Sequence, residues 1–142
     1  MAMQHTPLLM SKIIDRGAKV APNEEIVTAT ENGVRRQTYK ETRDRAHQLA
    51  HALAEAGIAV GDRVGTFMWN GSRHLEAYQA CAGMGAVLHT LNIRLSEKDL
   101  EYIINHAEDQ IIIVDADILP LLEKLEGKMP TVRQVVIASE EG

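Results

Sequence analysis

Three polar sets carry side chains that could do chemistry, and each lies at the end of an apolar run. Trp69-Asn70-Gly71-Ser72-Arg73-His74 follows the run that begins at Arg63. With one glycine and no Lys-Ser/Thr ending, it is not a phosphate-cradling loop of the Walker type, and a turn with a cap is the simpler expectation. The second set is His89-Thr90-Leu91-Asn92-Ile93-Arg94. An imidazole, an amide and a guanidinium there exceed what a turn requires. A ligand contact and a structural role, with His89 or Arg94 packing against a neighbouring domain, both stay open. The third set, Asp115-x-Asp117, could hold magnesium as in a phospho-receiver domain. A receiver also needs an acceptor aspartate after a middle strand and a lysine after a late one. Neither is placed here, and helix N-capping explains the pair more simply.

Other catalytic constellations are missing from the sequence: there is no Gly-x-Ser-x-Gly elbow, Cys/His nucleophile pairing, CxxC or HExxH. Nor is there a Ser/Thr/Gly-rich tract ending in lysine, so nothing in these residues alone could hold a triphosphate. His47 and His51 stand four apart but lack a third ligand and share a charged helix face, which points to solvated surface. Cys81, the single cysteine, excludes an internal disulfide and reads as a small core residue.

The elements that must position these sets follow from hydrophobic periodicity. The 142 residues match one domain in size, with 45% hydrophobic and 25% charged residues. A net charge of −5 without a basic cluster excludes a nucleic-acid footprint. No apolar stretch approaches the roughly 20 residues of a membrane span, and the N-terminus lacks secretory-signal character. A cytoplasmic, soluble protein is the expectation.

Leu9, Met10, Ile13, Ile14, Ala18 and Val20 predict a short helix between Thr6 and Val20, within an extended or helical arm over residues 1–24. Ile26 to Thr30 and Val34 to Tyr39, flanking Glu31-Asn32-Gly33, predict a hairpin. Thr38-x-x-Glu41 is a capping box before the helical pattern Thr42, Ala46, Leu49, Ala50, Leu53, Ala56, with Gly57 as its left-handed stop. Beyond residue 60, strand alternates with helix four times. The strands are Arg63–Trp69, Ala86–Thr90, Gln110–Val114 and Arg133–Ala138. The first intervening helix is capped by Ser72 and carries Leu75, Tyr78, Gln79 and Ala82. The second is capped by Ser96 and buries Leu100, Ile103, Ile104 and Ala107. The third is capped by Asp115 or Asp117 and turns Ile118, Leu121, Leu122 and Leu125 inward, with Pro120 in its first turn. The fold class is α/β: a hairpin and helix leading into a mostly parallel, helix-covered sheet. The whole chain is expected to be one α/β unit.

The segment RHLEAYQACAGMGAVLHTLNIRLSEKDLEYIINHAEDQIIIVDADILPLLEKL resembles the N-terminal region of medium- and long-chain fatty acyl-CoA synthetases, in the adenylate-forming, AMP-binding superfamily. Upstream, QTYKETRDRAHQLAHAL resembles the family's first core motif, GIAVGDRVGTFMWN its strand entry, and GMGAVLHTLNIRL its second. The resemblance covers residues 6–140. It departs at Ile93, where the family usually has proline, which implies a less rigid loop.

The resemblance implies a two-step reaction. A fatty carboxylate attacks the α-phosphate of Mg-ATP to give acyl-adenylate and pyrophosphate, and the CoA thiol then displaces AMP. The family's ATP-site motifs would lie beyond residue 142, so the chain is expected to be an N-terminal piece of a larger synthetase. That piece would be inactive alone, and would bind ATP, CoA or Mg2+ tightly only with the remainder of the synthetase chain. No catalytic residue maps onto it. Asn92, Ile93 and Arg94 map beside the channel for CoA's pantetheine arm, with His89 and Trp69 as nearby wall. Family members are often homodimers. A standalone, non-catalytic α/β module binding a ligand or partner is the alternative.

Overall fold

The apolar run after Gln110 forms a strand covered on both sides, as its unbroken hydrophobicity demands. Ile111 and Ile113 point into one core and Ile112 and Val114 into the other, all four buried. The fold around it is a computed structural model describing residues 7–30 and 33–139. In chain order it holds α1 (Ser11–Val20), β1 (Glu25–Thr30), β2 (Gly33–Thr38), α2 (Tyr39–Glu55), β3 (Arg63–Phe67) and α3 (Ser72–Met84). Then come β4 (Val87–Thr90), α4 (Glu97–Ala107), β5 (Ile111–Asp115), α5 (Leu119–Glu123) and β6 (Gln134–Ala138).

The four later strands form a parallel sheet in the order β4-β3-β5-β6. The chain leaves β3 for β4 on one side and returns past β3 to β5, so the order reverses between β3 and β5. One face carries Val64, Met68, Ile111 and Ile113 beneath α2 and α3. The other carries Phe67, Ile112 and Val114 beneath α4 and α5, with Leu100, Ile104 and Leu122. The β1–β2 hairpin is antiparallel and stands apart from this sheet. Asn32, at its expected turn, lies outside the described residues, as does Thr6.

The local signals decide most boundaries. The Thr38 hydroxyl accepts from the Glu41 amide at 3.1 Å while the Glu41 carboxylate accepts from the Thr38 amide at 2.8 Å, closing the capping box. Gly57, at φ +84°, supplies the left-handed residue after α2. Ser96 accepts from the Asp99 amide at the start of α4. Cys81 is buried, and burial pushes its thiol up to about 11, which leaves it unreactive.

Two helix expectations need correction. In α3, Ser72 does not cap: Gly71 occupies the N-cap position without a side-chain bond. The buried face of α3 is Ser72, His74, Glu76, Ala77, Ala80 and Cys81, whereas Tyr78 is exposed and Leu75 and Gln79 are half-buried. Packing against α2 requires small side chains, and the polar ones among them are paired, so the most hydrophobic stripe loses to the one that fits. In α5, neither Asp115 nor Asp117 caps. Ile118 is the N-cap residue, Pro120 sits in the first turn, and Leu121 faces solvent.

Candidate functional site

In open parallel sheets, ligands bind beyond the carboxyl ends of the strands where the strand order reverses. A cavity of about 620 Å3 occupies that place here. Its floor is the exit of β3 (Met68, Trp69, Asn70) and of β5 (Asp115, Ala116, Asp117), and the first turn of α3 adds Ser72, Arg73 and His74. The hairpin closes it from above with Thr28, Thr30 and Arg35.

The first and third polar sets therefore meet. The Trp69 amide donates to Asp115 Oδ2 at 2.7 Å, and the Trp69 indole Nε1 donates to Asp117 Oδ2 at 2.8 Å. Both carboxylates are thus engaged by one tryptophan, which is what displaces them from capping α5. Burial pushes the Asp115 carboxyl above its usual range, opposed by the bond from the Trp69 backbone. Behind them, His74 is buried with Nε2 3.0 Å from Thr66 Oγ1. The Ser72 amide donates to Thr28 Oγ1 at 3.1 Å, which ties the helix start to the hairpin. The place of Arg35 in this lining had no local sequence signal, because only the docking of the hairpin brings it there.

Burial holds the His74 imidazole below its ordinary value of 6.5, partly offset by the Trp69 backbone and Asp115. With a folded value below the unfolded one, the unfolded chain takes up the proton first. Stability present above about 6.5 is then lost as pH falls through the depressed value. In His74→Gln that part of the acid loss should disappear, read as the change in urea midpoint between about pH 7.5 and about pH 5. A change as large as the wild type's would exclude His74 as its source.

The second polar set stays apart from the cavity, on the same rim one strand over. Leu91 closes the ladder, its amide donating to Thr66 O at 2.9 Å, and the loop begins beyond it. Asn92 Oδ1 accepts from the Arg94 amide at 3.0 Å, a local turn that stiffens the loop. Ile93 packs against the core under α4, and Arg94 is exposed, with no ion pair among the described residues. His89 turns inward, its Nδ1 2.8 Å from Oδ2 of the fully buried Asp109. Of the wall residues, only Trp69 reaches the cavity, half exposed at its mouth.

His47 lies 3.7 Å from Asp15 on the surface, and among the described residues no group of three or more His, Cys, Asp or Glu side chains could hold a metal ion. Among them, too, no helix is long and apolar enough to cross a membrane.

The model of the AMP-binding enzyme family matches residues 14–142. The chain belongs to that family. Among its relatives is the long-chain-fatty-acid–CoA ligase of Thermus thermophilus, 44% identical over 98% of this chain and 26% of the relative. The 3-methylmercaptopropionyl-CoA ligase of Ruegeria pomeroyi is 42% identical over 95% of this chain and 25% of its own length. The chain thus spans about a quarter of the length of the curated relatives it matches. A solved N-terminal domain of FACL13 from Mycobacterium tuberculosis superposes with a TM-score of 0.86, covering 93% of this chain and 34% of that one at 24% identity, a likeness of fold. The expected fold class, an antiparallel hairpin and a helix leading into a parallel, helix-covered sheet, is the one found.

Proposed function

We propose that this chain is the N-terminal portion of an AMP-forming fatty acyl-CoA ligase. The observation that carries the reading is the 44% identity to a long-chain-fatty-acid–CoA ligase along nearly the whole chain. In the parent enzyme, a fatty carboxylate attacks the α-phosphorus of ATP with Mg2+ present, pyrophosphate leaves, and the CoA thiolate then attacks the acyl carbonyl and expels AMP. The residues of this piece do not fit a triphosphate: its strand-exit loops lack the lysine-ended, glycine-rich tract that would cradle one. Its part is to build one wall, with Asn92, Ile93 and Arg94 beside the path of CoA and His89 and Trp69 as nearby wall residues.

The test is made on the protein encoded by the full reading frame. Incubated with ATP, CoA and a series of fatty and branched or sulfur-containing acids, it should release AMP and form acyl-CoA, fastest with fatty acids. Absence of CoA-dependent AMP release for every acid would overturn the reading, and a clear preference for a non-fatty acid would overturn its acyl class. Arg94→Ala should raise the KM for CoA about tenfold, the loss of about 1.4 kcal/mol expected of one charged contact. Unchanged CoA dependence in a normally folded variant would remove Arg94 from the CoA path.

A second reading, a ligand-binding module without catalysis, is favoured by the cavity at the β3–β5 switch point. It requires a large thermal stabilisation of this chain alone by ATP or CoA, since binding to the folded state raises its stability.

A further inference from the structure

β4 is an edge strand of four residues, paired only with β3 among the described strands. Two of its four residues, Val87 and Thr90, are exposed, so burial holds it weakly, yet its end carries the loop Asn92–Arg94. The strand has a second fastening. His89 lies opposite Gly65 in the β3–β4 register, on the α4 side of the sheet. Asp109 starts from the corner between α4 and β5, two positions away across the sheet, and is fully buried. Its carboxylate passes over Gly65 and accepts from His89 Nδ1, at 2.8 Å to Oδ2 and 3.0 Å to Oδ1.

Gly65 is what leaves the passage open. A Cβ there would sit 3.1 Å from Asp109 Oδ2 and 3.1 Å from Ile112 Cγ1. Glycine weakens a strand interior, and here it stands where another side chain approaches the backbone. The corner that aims Asp109 is itself held. Glu108 adopts a left-handed φ of 56°, and the Arg63 guanidinium donates to the carbonyls of Ala107 and Glu108 and to the Glu108 carboxylate. A buried carboxylate is costly unless paired, so this arrangement persists because the imidazole answers it.

We propose that Asp109 and His89 are positioning residues for the CoA-side loop: their bond, threaded past Gly65, fixes the exit of β4 and thereby the place of Arg94. The inference rests on the reading of Asn92–Arg94 as the CoA wall given above. Neither residue touches the reacting atoms.

The full-length enzyme carries the test. Asp109→Asn keeps the shape of the side chain but removes the charge and halves its accepting capacity. It should raise the KM for CoA about fivefold while ATP–pyrophosphate exchange with the acid, which needs no CoA, changes by less than about twofold. Gly65→Ala, which crowds the carboxylate without altering a polar group, should give the same split, and His89→Gln, which retains an N–H donor, a smaller one. In an Arg94→Ala background the Asp109→Asn shift should shrink to about twofold or less, because the two changes act through one loop. An unchanged KM for CoA, equal losses in both half-reactions, or an undiminished shift in the Arg94→Ala background would each overturn the proposal. Should Asp109→Asn fail to fold, His89→Gln and Gly65→Ala decide it by the same split. A wild type that forms no acyl-CoA defeats the functional reading and this inference together. An active wild type whose variants keep their KM defeats only the inference.

Discussion

Phe67→Ala should lower the stability of the chain by about 3–5 kcal/mol, the cost of emptying a fully enclosed aromatic site. Phe67 is the only phenylalanine in the sequence and is completely buried as the last residue of β3. Its ring belongs to the core beneath α4 and α5 with Leu91, Leu100, Ile104, Ile112 and Val114. Those neighbours sit on elements pinned by the sheet and by the Ser96 cap, so the site cannot collapse far and a cavity remains. Domains of this size are commonly stable by about 5–15 kcal/mol, so the loss would consume a large share of the total. Urea unfolding should register it as a lowered midpoint with an unchanged slope. Ile103→Ala, at a half-buried position on the rim of the same core, should cost about half as much or less. Equal costs at the two positions would mean that the ring is not enclosed as described.

Where the chain's information is local, the sequence displayed it. The Thr38 capping box, Gly57, Ser96 and the doubly apolar run of β5 each act within a few residues, and each element formed where its signal stands. Information carried between distant elements was not legible. Asp109 has no neighbour in sequence that marks it, since its partner His89 lies 20 residues earlier and Gly65 earlier still. Asp115 and Asp117 carry a cap-like spacing, but the backbone and indole of Trp69 compete for them and win. In α3 the larger apolar residues Leu75 and Tyr78 do not form the buried face. Close helix packing favours Ala77, Ala80 and Cys81, and it draws His74 and Glu76 inside with them because partners await both. A pattern such as His-x-Glu embedded among alanines is the one clue the sequence held to a polar, buried helix face.

Glu76→Ala should be the most damaging polar substitution in the chain. Glu76 is buried, and its Oε1 accepts from Gln37 Nε2 at 2.7 Å and from Arg45 Nε at 2.7 Å. Gln37 is itself buried on β2 and also donates to Thr42 Oγ1 at 2.9 Å at the start of α2. One carboxylate therefore joins α3 to α2 and to the hairpin. A two-stranded hairpin is marginal by itself, so this junction does more for it than its own ladder can. Removing the carboxylate leaves a buried amide short of an acceptor and a guanidinium without its counter-ion. Breaking a fully buried pair costs about 3–5 kcal/mol, and because Arg45 is nearly half exposed, about 2–3 kcal/mol is expected here. Glu76→Gln keeps an acceptor for Gln37 and loses the charge, so it should cost about 1 kcal/mol. The loss in Glu76→Ala should also be felt first at the hairpin, as faster proteolysis within β1 and β2 than global unfolding explains. Equal costs for alanine and glutamine would mean that only the charge matters. A cost for alanine below about 1 kcal/mol would mean that the hairpin, and with it the upper wall of the cavity, is held by something other than Glu76.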